Sequence, residues 1–170
     1  MSAEVVWEGK YIKAVKDGTW EYVSRARGIQ AAVILAVEDG HVLLVEQYRV
    51  PLGRRCLELP AGLVGDEEAG ESVEASAARE LEEETGYRPA RIEPLGFFHS
   101  SPGMVSEGFM LVRATGLERF TDGGGVEGEN ITVVRVPVAE IANVVAAKRA
   151  EGVAIDVKLL LLLGAGMLAG

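Results

Sequence analysis

Nine carboxylates crowd into residues 66–84, with a single base among them. They are Asp66, Glu67, Glu68, Glu71, Glu74, Glu80, Glu82, Glu83 and Glu84, and the base is Arg79. That stretch carries −8 of the formal net charge of −9, so the rest of the chain is nearly neutral. Its second part has a helical period. Val73, Ala77 and Leu81 recur every four residues with Ala78 beside them, which makes one apolar face. Ser72 is a suitable N-cap, Glu74 suits the positive end of the helix dipole, and Gly86 suits the stop. An amphipathic helix of this kind needs a sheet or another helix to cover its apolar stripe.

The preceding residues read as strands. Residues 10–15 alternate polar with apolar, and Asp17-Gly18 supplies a turn before a short strand over 20–24. Residues 29–37 form an apolar run suited to a strand covered on both faces. Asp39-Gly40 turns the chain into a partner strand over 41–47, and 56–59 is a further strand stopped by Pro60. The Gly- and acid-rich stretch 62–71 is expected to be a loop. After the acidic helix, strands are expected over 92–99, 109–113 and 131–136, with a loop over 116–130 that contains Gly123-Gly124-Gly125. Pro137 suits the start of a helix to about 149, and 155–168 reads as a final helix. Strands with interspersed helices imply an α+β sandwich with a mixed sheet.

The size, 170 residues with 48% apolar and 25% charged, is that of a soluble globular domain and not of a disordered or collagen-like chain. An acidic balance argues against general nucleic-acid binding. Cys56 is the single cysteine and has no internal partner, which suits a reducing, cytoplasmic compartment; it reads as a small buried thiol. The N-terminal residues lack the basic and long apolar regions of a signal peptide. The uncharged tail 159–170 is shorter than the roughly 20 residues that span a bilayer, so a core or dimer-contact helix is expected rather than a membrane segment.

Each helical residue advances about 100°, so Glu80 and Glu84 lie one turn apart with Glu83 beside them. Like charges at this spacing repel by about 0.2–0.5 kcal/mol per pair even when exposed. A divalent cation would neutralise them, since hard Mg2+ or Mn2+ takes oxygen ligands. A solvated acidic face is the other reading of these residues, although no lysine lies between Glu71 and Glu84.

Gly65, Glu71, Arg79-Glu80-Leu81, Glu83-Glu84 and Gly86-Tyr87 together fit the Nudix box, Gly-x5-Glu-x7-Arg-Glu-apolar-x-Glu-Glu-x-Gly-apolar. The chain thus resembles the Nudix hydrolases, which cleave nucleoside diphosphates linked to another moiety. Leu57-Glu58-Leu59-Pro60-Ala61-Gly62, Gln47-Tyr48-Arg49, Trp20-Glu21-Tyr22-Val23 and Pro102, 16 residues after Gly86, resemble the ADP-ribose (ADP-sugar) pyrophosphatase branch. There is one departure. Ala61-Gly62-Leu63 looks like the opening of the box, yet Glu71 lies three residues too far from Gly62; Gly65 restores the spacing.

The resemblance implies a Nudix-type α/β/α sandwich over 28–170, preceded by a small N-terminal antiparallel sheet over 1–27 that forms dimer contacts. It implies metal-dependent hydrolysis of ADP-ribose to AMP and ribose 5-phosphate by a homodimer. Other nucleoside diphosphate sugars, dinucleotides, or a non-catalytic nucleotide sensor are the alternatives. Metal would be held by the Ala61 carbonyl, Glu80, Glu83 and Glu84. Arg79 would orient these carboxylates, and Glu71 would support them from further out. Tyr11 and Trp20 would flank the base in a pocket shared across the dimer, with Arg25, Arg49, Glu58 and Pro102 also contacting substrate. A glycine-rich mobile loop would supply the general base, with Glu129 favoured and Glu127 sharing the task, while Glu83 also serves catalysis. Glu107 is a lesser candidate base, and His41 and His99 read as structural.

Overall fold

The computed structural model describes residues 3–28, 30–65, 70–126 and 128–168. Three strands, β1 (Glu4–Glu8), β2 (Ile12–Asp17) and β3 (Trp20–Arg25), form an antiparallel sheet of their own. Strand β1 is not expected from the sequence: all five of its residues are exposed, and an alternating burial signal never develops. A second sheet contains β4 (Gln30–Glu38), β5 (His41–Arg49), β6 (Arg54–Glu58), β7 (Ala61–Val64), β8 (Tyr87–His99), β9 (Gly108–Arg119), β10 (Thr132–Pro137) and β11 (Ala154–Ile155). Its main path runs β11-β6-β5-β4-β9-β8, while β10 pairs with β5 and β7 with β4. The β4–β9 and β6–β11 pairs are parallel and the others antiparallel, so the sheet is mixed.

Strand β4 explains the layering. Ala32, Ile34 and Ala36 enter one core, with Leu43, Val112, Ala114 and the helix residues Ala77 and Leu81. Val33 enters the other core, with Leu57, Leu59, Val136, Ile141, Val145 and Leu159, and Leu35 and Val37 pack against it. Period-two alternation thus sends successive residues of one apolar run to opposite helical layers. Helix α1 (Val73–Thr85) covers the first face; α2 (Ile141–Ala150) and the segment leading into α3 (Leu160–Leu168) cover the second. This is the expected α+β sandwich, with the small antiparallel sheet before it.

Helix α1 is capped as its sequence requires. The Ala75 N–H donates to Ser72 Oγ at 3.1 Å, and Gly86 leaves the helix with φ 79° while its N–H donates to the Glu82 carbonyl. Leu81 is fully buried, which contributes about 1.5–3 kcal/mol. Buried Glu46 on β5 takes Arg55 of β6 at 2.6 Å and Lys148 of α2 at 2.8 Å, pinning that helix to the sheet.

Several boundaries differ from expectation: Pro137 ends β10 and the helix it was expected to start begins at Ile141, while β9 runs on to Arg119 because β8 pairs with it along that length. Ala61–Val64 is a strand and not part of a loop, because β4 offers it an antiparallel partner from Gln30 to Val33. The final helix is shorter, since Ala154–Ile155 joins β6 in parallel and a 3-10 turn at Val157–Leu159 precedes α3. Among the described residues, no helix is long and apolar enough to cross a membrane.

Two measurements check this packing. Ser72→Ala removes the cap and should lower unfolding stability by about 1 kcal/mol in a denaturant titration. Cys56 is buried, and its thiol is pushed up to about 12, first by burial and then by the Glu58 and Asp156 charges. The native thiol should therefore resist alkylation at pH 8 and react only after unfolding.

Candidate active site

The N–H of Ala61, on β7, donates to Glu84 Oε2 of α1 at 3.0 Å. Glu84 is only 6% exposed. Its carboxyl is pushed up to about 8, chiefly by burial and further by Glu80 and Glu129; the Ala61 N–H opposes the shift. Glu80 is pushed up to about 7, again by burial first, with Glu83 and Glu129 adding to it against the pull of Arg79. Glu80, Glu84 and Glu129 therefore form one electrostatic unit, and Glu83 adjoins it through Glu80. The Arg79 guanidinium meets Glu80 at 3.1 Å, Glu83 at 3.2 Å and Glu71 at 3.4 Å, so it braces three carboxylates.

Gly62 has a steric reason to be glycine. A Cβ there would collide with the Glu80 carboxyl group. Gly65 instead sits in a turn with φ 78°. The spacing that matches the box on paper runs from Gly65, but the glycine lying against the helix carboxylates is Gly62.

Glu129 is held by its own loop: its Oε2 accepts from the Val126 N–H at 3.0 Å. The loop is fixed to the C-terminus of α1. Phe120 N donates to the Gly86 carbonyl at 2.8 Å, Gly124 N to that of Glu84 at 2.9 Å and Gly125 N to that of Glu83 at 2.9 Å. These bonds satisfy carbonyls that a helix end leaves open. Glu127 lies outside the described residues, as do Asp66, Glu67 and Glu68.

Beside β7 lies a cleft of about 350 Å³ that gathers Arg25, Arg49, Glu58, Ala61 and Gly62. Arg49 forks onto buried Glu58, Nε to Oε1 at 2.6 Å and a terminal nitrogen to Oε2 at 2.8 Å. Arg25 pairs with Glu107. Lys158 and Phe109 also line the cleft, and neither is singled out by sequence reasoning. The Lys158 ammonium lies 2.7 Å from Asp156 and 5.8 Å from the Phe109 ring centre. The only sequence signal for Lys158 is its place bounding the apolar tail. Trp20 and Pro102 share a neighbouring groove of about 360 Å³ with Asp17 and Tyr22; Tyr11 lines neither space. His41 begins β5 and His99 ends β8, both away from the carboxylates of α1 in sequence and in strand.

Among the described residues, no three His, Cys, Asp or Glu side chains are gathered so as to hold a metal ion as they stand. The donors nevertheless suit a hard divalent cation. They are carboxylate oxygens on buried Glu84 and half-buried Glu80, whose carboxyls burial pushes up.

The layered sheet and the carboxylate helix laid against a strand-walled cleft define an α+β sandwich of the Nudix type. Residues 26–157 match the family model described as NUDIX domain. The chain belongs to the Nudix family. It is 33% identical over 175 residues to an ADP-sugar pyrophosphatase of Mus musculus, covering 88% of this chain and 78% of that one. It is 37% identical over 119 residues to a methanol dehydrogenase activator of Bacillus methanolicus, covering 69% of this chain. Across three curated relatives the matched stretch spans 63%, 62% and 40% of their lengths. The crystal structure of an ADP compounds hydrolase superposes with a TM-score of 0.71 at 23% identity, covering 99% of this chain and 93% of that one, a likeness of fold.

Gly62→Ala is expected to displace the Glu80 carboxylate while leaving the cores intact. Addition of Mn2+ should raise the melting temperature of the wild type, and this rise should shrink in the variant. An undiminished rise would show that Glu80 needs no such proximity to β7.

Proposed function

We propose that the protein hydrolyses the pyrophosphate bond of a nucleoside diphosphate derivative, with ADP-ribose as substrate and AMP and ribose 5-phosphate as products. The observation that carries this reading is the carboxylate face of Glu80, Glu83 and Glu84, braced by Arg79 and bonded through Glu84 to Ala61 of the strand that walls an arginine-bearing cleft. The name of the mouse ADP-sugar pyrophosphatase supports the substrate class.

In this reading the Ala61 carbonyl, Glu80, Glu83 and Glu84 hold Mg2+ or Mn2+. Bound there, the cation neutralises phosphate charge and acidifies a water nucleophile. Arg79 keeps the carboxylates oriented. Arg49, already locked by Glu58, offers its remaining N–H groups to phosphate or ribose oxygens without first losing rotamer freedom. Arg25 does the same from β3, oriented by Glu107. Glu129 leaves the Val126 N–H and takes the proton of the attacking water, with Glu127 sharing this role.

The base stacks on Trp20 against Pro102, which line one groove. Tyr11 comes from the other protomer of a homodimer built on the N-terminal strands of residues 1–27, with 28–170 as the hydrolase domain. Support comes from the exposure of Tyr11 and Trp20, 61% and 62%, and from the exposed Val5, Val6 and Trp7 on β1. A buried, unpaired Cys56 accords with a cytoplasmic setting.

Incubation with Mg2+ and ADP-ribose should release AMP and ribose 5-phosphate. Glu84→Gln should abolish turnover with the fold retained. Glu129→Gln should lower kcat by about 10²–10⁴-fold with KM little changed. Wild-type rates from Glu84→Gln would overturn the metal assignment. Ligand binding without hydrolysis across a panel of nucleoside diphosphates would replace the enzyme with a sensor.

A further inference from the structure

A second cavity, of about 280 Å³, lies on the α1 side of the sheet beyond the end of that helix. It is separate from the cleft at β7, with which it shares no lining residue. Strand register builds it. Tyr87 stands opposite Arg119 in the β8–β9 pair, His41 opposite Glu38 in β4–β5, and Arg135 opposite Leu43 in β5–β10. Leu43 belongs to the core under α1, which fixes the face on which the cavity opens.

The two arginines are the distinctive feature. Arg119 pairs with Asp122 at 2.6 Å and its Nε donates to the Thr121 carbonyl at 3.3 Å, but the Arg119 and Asp122 side chains are 60% and 97% exposed. An ion pair so open to water is worth about 0–1 kcal/mol and exchanges easily for another anion. Arg135 makes no hydrogen bond or ion pair among the described residues; it is exposed and lines the cavity. Two guanidiniums on one cavity fit a phosphate dianion, which each can grip by a bidentate fork. Glu38 and Asp39 line the same space. One Glu38 oxygen already takes the Leu117 N–H, and the carboxylates have capacity left for hydroxyl donors. Tyr87 adds an aromatic wall suited to the carbon face of a sugar. The volume sits at the lower limit for ligand sites, about 300 Å³, which suits a phosphorylated sugar better than a whole nucleotide sugar.

Position gives the cavity its consequence. Arg119 is the last residue of β9, and Arg135 lies on β10, the strand that follows the loop. These strands are the two stems of the segment that carries Glu129. A ligand held by both arginines ties the stems together.

We propose that this cavity binds a small phosphorylated sugar through Arg119 and Arg135, and that occupancy restrains the Glu129 loop and slows turnover. The binding site stands on the cavity alone; the effect on turnover rests on the function proposed above. Ribose 5-phosphate, a product of that reaction, belongs to the ligand class, so the site provides product inhibition that excess substrate does not relieve.

The test is calorimetric titration of the metal-free full chain with ribose 5-phosphate, ribose and inorganic phosphate. Ribose 5-phosphate should bind more tightly than either fragment. Arg135→Gln should weaken it about tenfold, the loss of one charge-assisted contact, and Arg119→Gln should do likewise. Arg91→Gln, an exposed position on β8 that lines neither cavity, should leave that affinity unchanged. In turnover assays Arg135→Gln should keep the uninhibited rate and lose the inhibition by ribose 5-phosphate at saturating substrate. Equal binding by wild type and both cavity variants would overturn the proposal, as would an equal loss in Arg91→Gln. Inorganic phosphate binding as tightly as ribose 5-phosphate would overturn the assignment of a sugar. If ADP-ribose is not hydrolysed but the binding pattern holds, the function fails and the site stands. Hydrolysis with no binding that depends on Arg135 would leave the function standing and overturn the site.

Discussion

One hydrogen bond ties the chemistry to the fold, from the Ala61 N–H of β7 to the Glu84 carboxylate of α1. It exists because β7 is hydrogen-bonded to β4 and α1 packs over the same region, so strand and helix meet at a fixed offset. Magnitudes explain what holds the contact. Each like-charge pair on α1 costs about 0.2–0.5 kcal/mol when exposed. Burial makes the true cost larger, as the upward shifts of Glu80 and Glu84 indicate. Burying Leu81 alone contributes about 1.5–3 kcal/mol, and Ala77 and Val73 pack on the same face. The apolar stripe thus holds the carboxylates where electrostatics alone would disperse them.

The same C-terminal end of α1 positions the loop. A helix leaves its last carbonyls without internal partners. Here Phe120, Gly124 and Gly125 supply the donors, so the chain entering the Glu129 segment is registered to the helix that bears Glu80 and Glu84. Close backbone approach makes glycine necessary at two places. A Cβ on Gly86 would strike the Thr121 carbonyl, and one on Gly123 would lie 2.7 Å from the Glu84 carbonyl. Arg88 reinforces the junction, pairing with Glu82 at 2.6 Å while its guanidinium stacks 4.0 Å from the Phe120 ring centre.

What the sequence made legible was mostly local. The Ser72 cap, the four-residue apolar period and Gly86 delimit α1 as observed. The apolar run of β4 announces a strand covered on both faces, and the two cores share it. Strands β7 and β11 were hidden because their residues have no alternating pattern; they are strands only through partners in β4 and β6. The same limit applies to the cleft. Arg49 and Glu58 were each readable as ligand contacts, but their mutual fork depends on the β5–β6 register. The Arg25–Glu107 pair spans 82 residues, and Lys158 arrives from beyond α2. No spacing rule reports such meetings.

The pairings also settle how this cleft can treat an anion. Its three basic residues each come with an acid: Arg49 with Glu58, Arg25 with Glu107, and Lys158 with Asp156. Such pairs fix geometry but contribute little net positive potential. The α1 carboxyls beside the cleft add no positive potential, and burial pushes Glu80 up to about 7 and Glu84 up to about 8. A pyrophosphate entering this space alone would find little net attraction. Under the proposed function, the attraction must therefore come from added divalent cations, with the arginines orienting a substrate that the metal draws in. Affinity and orientation are thereby divided between two sets of groups. The acidic character of the chain becomes a requirement for binding a negative substrate instead of an obstacle to it.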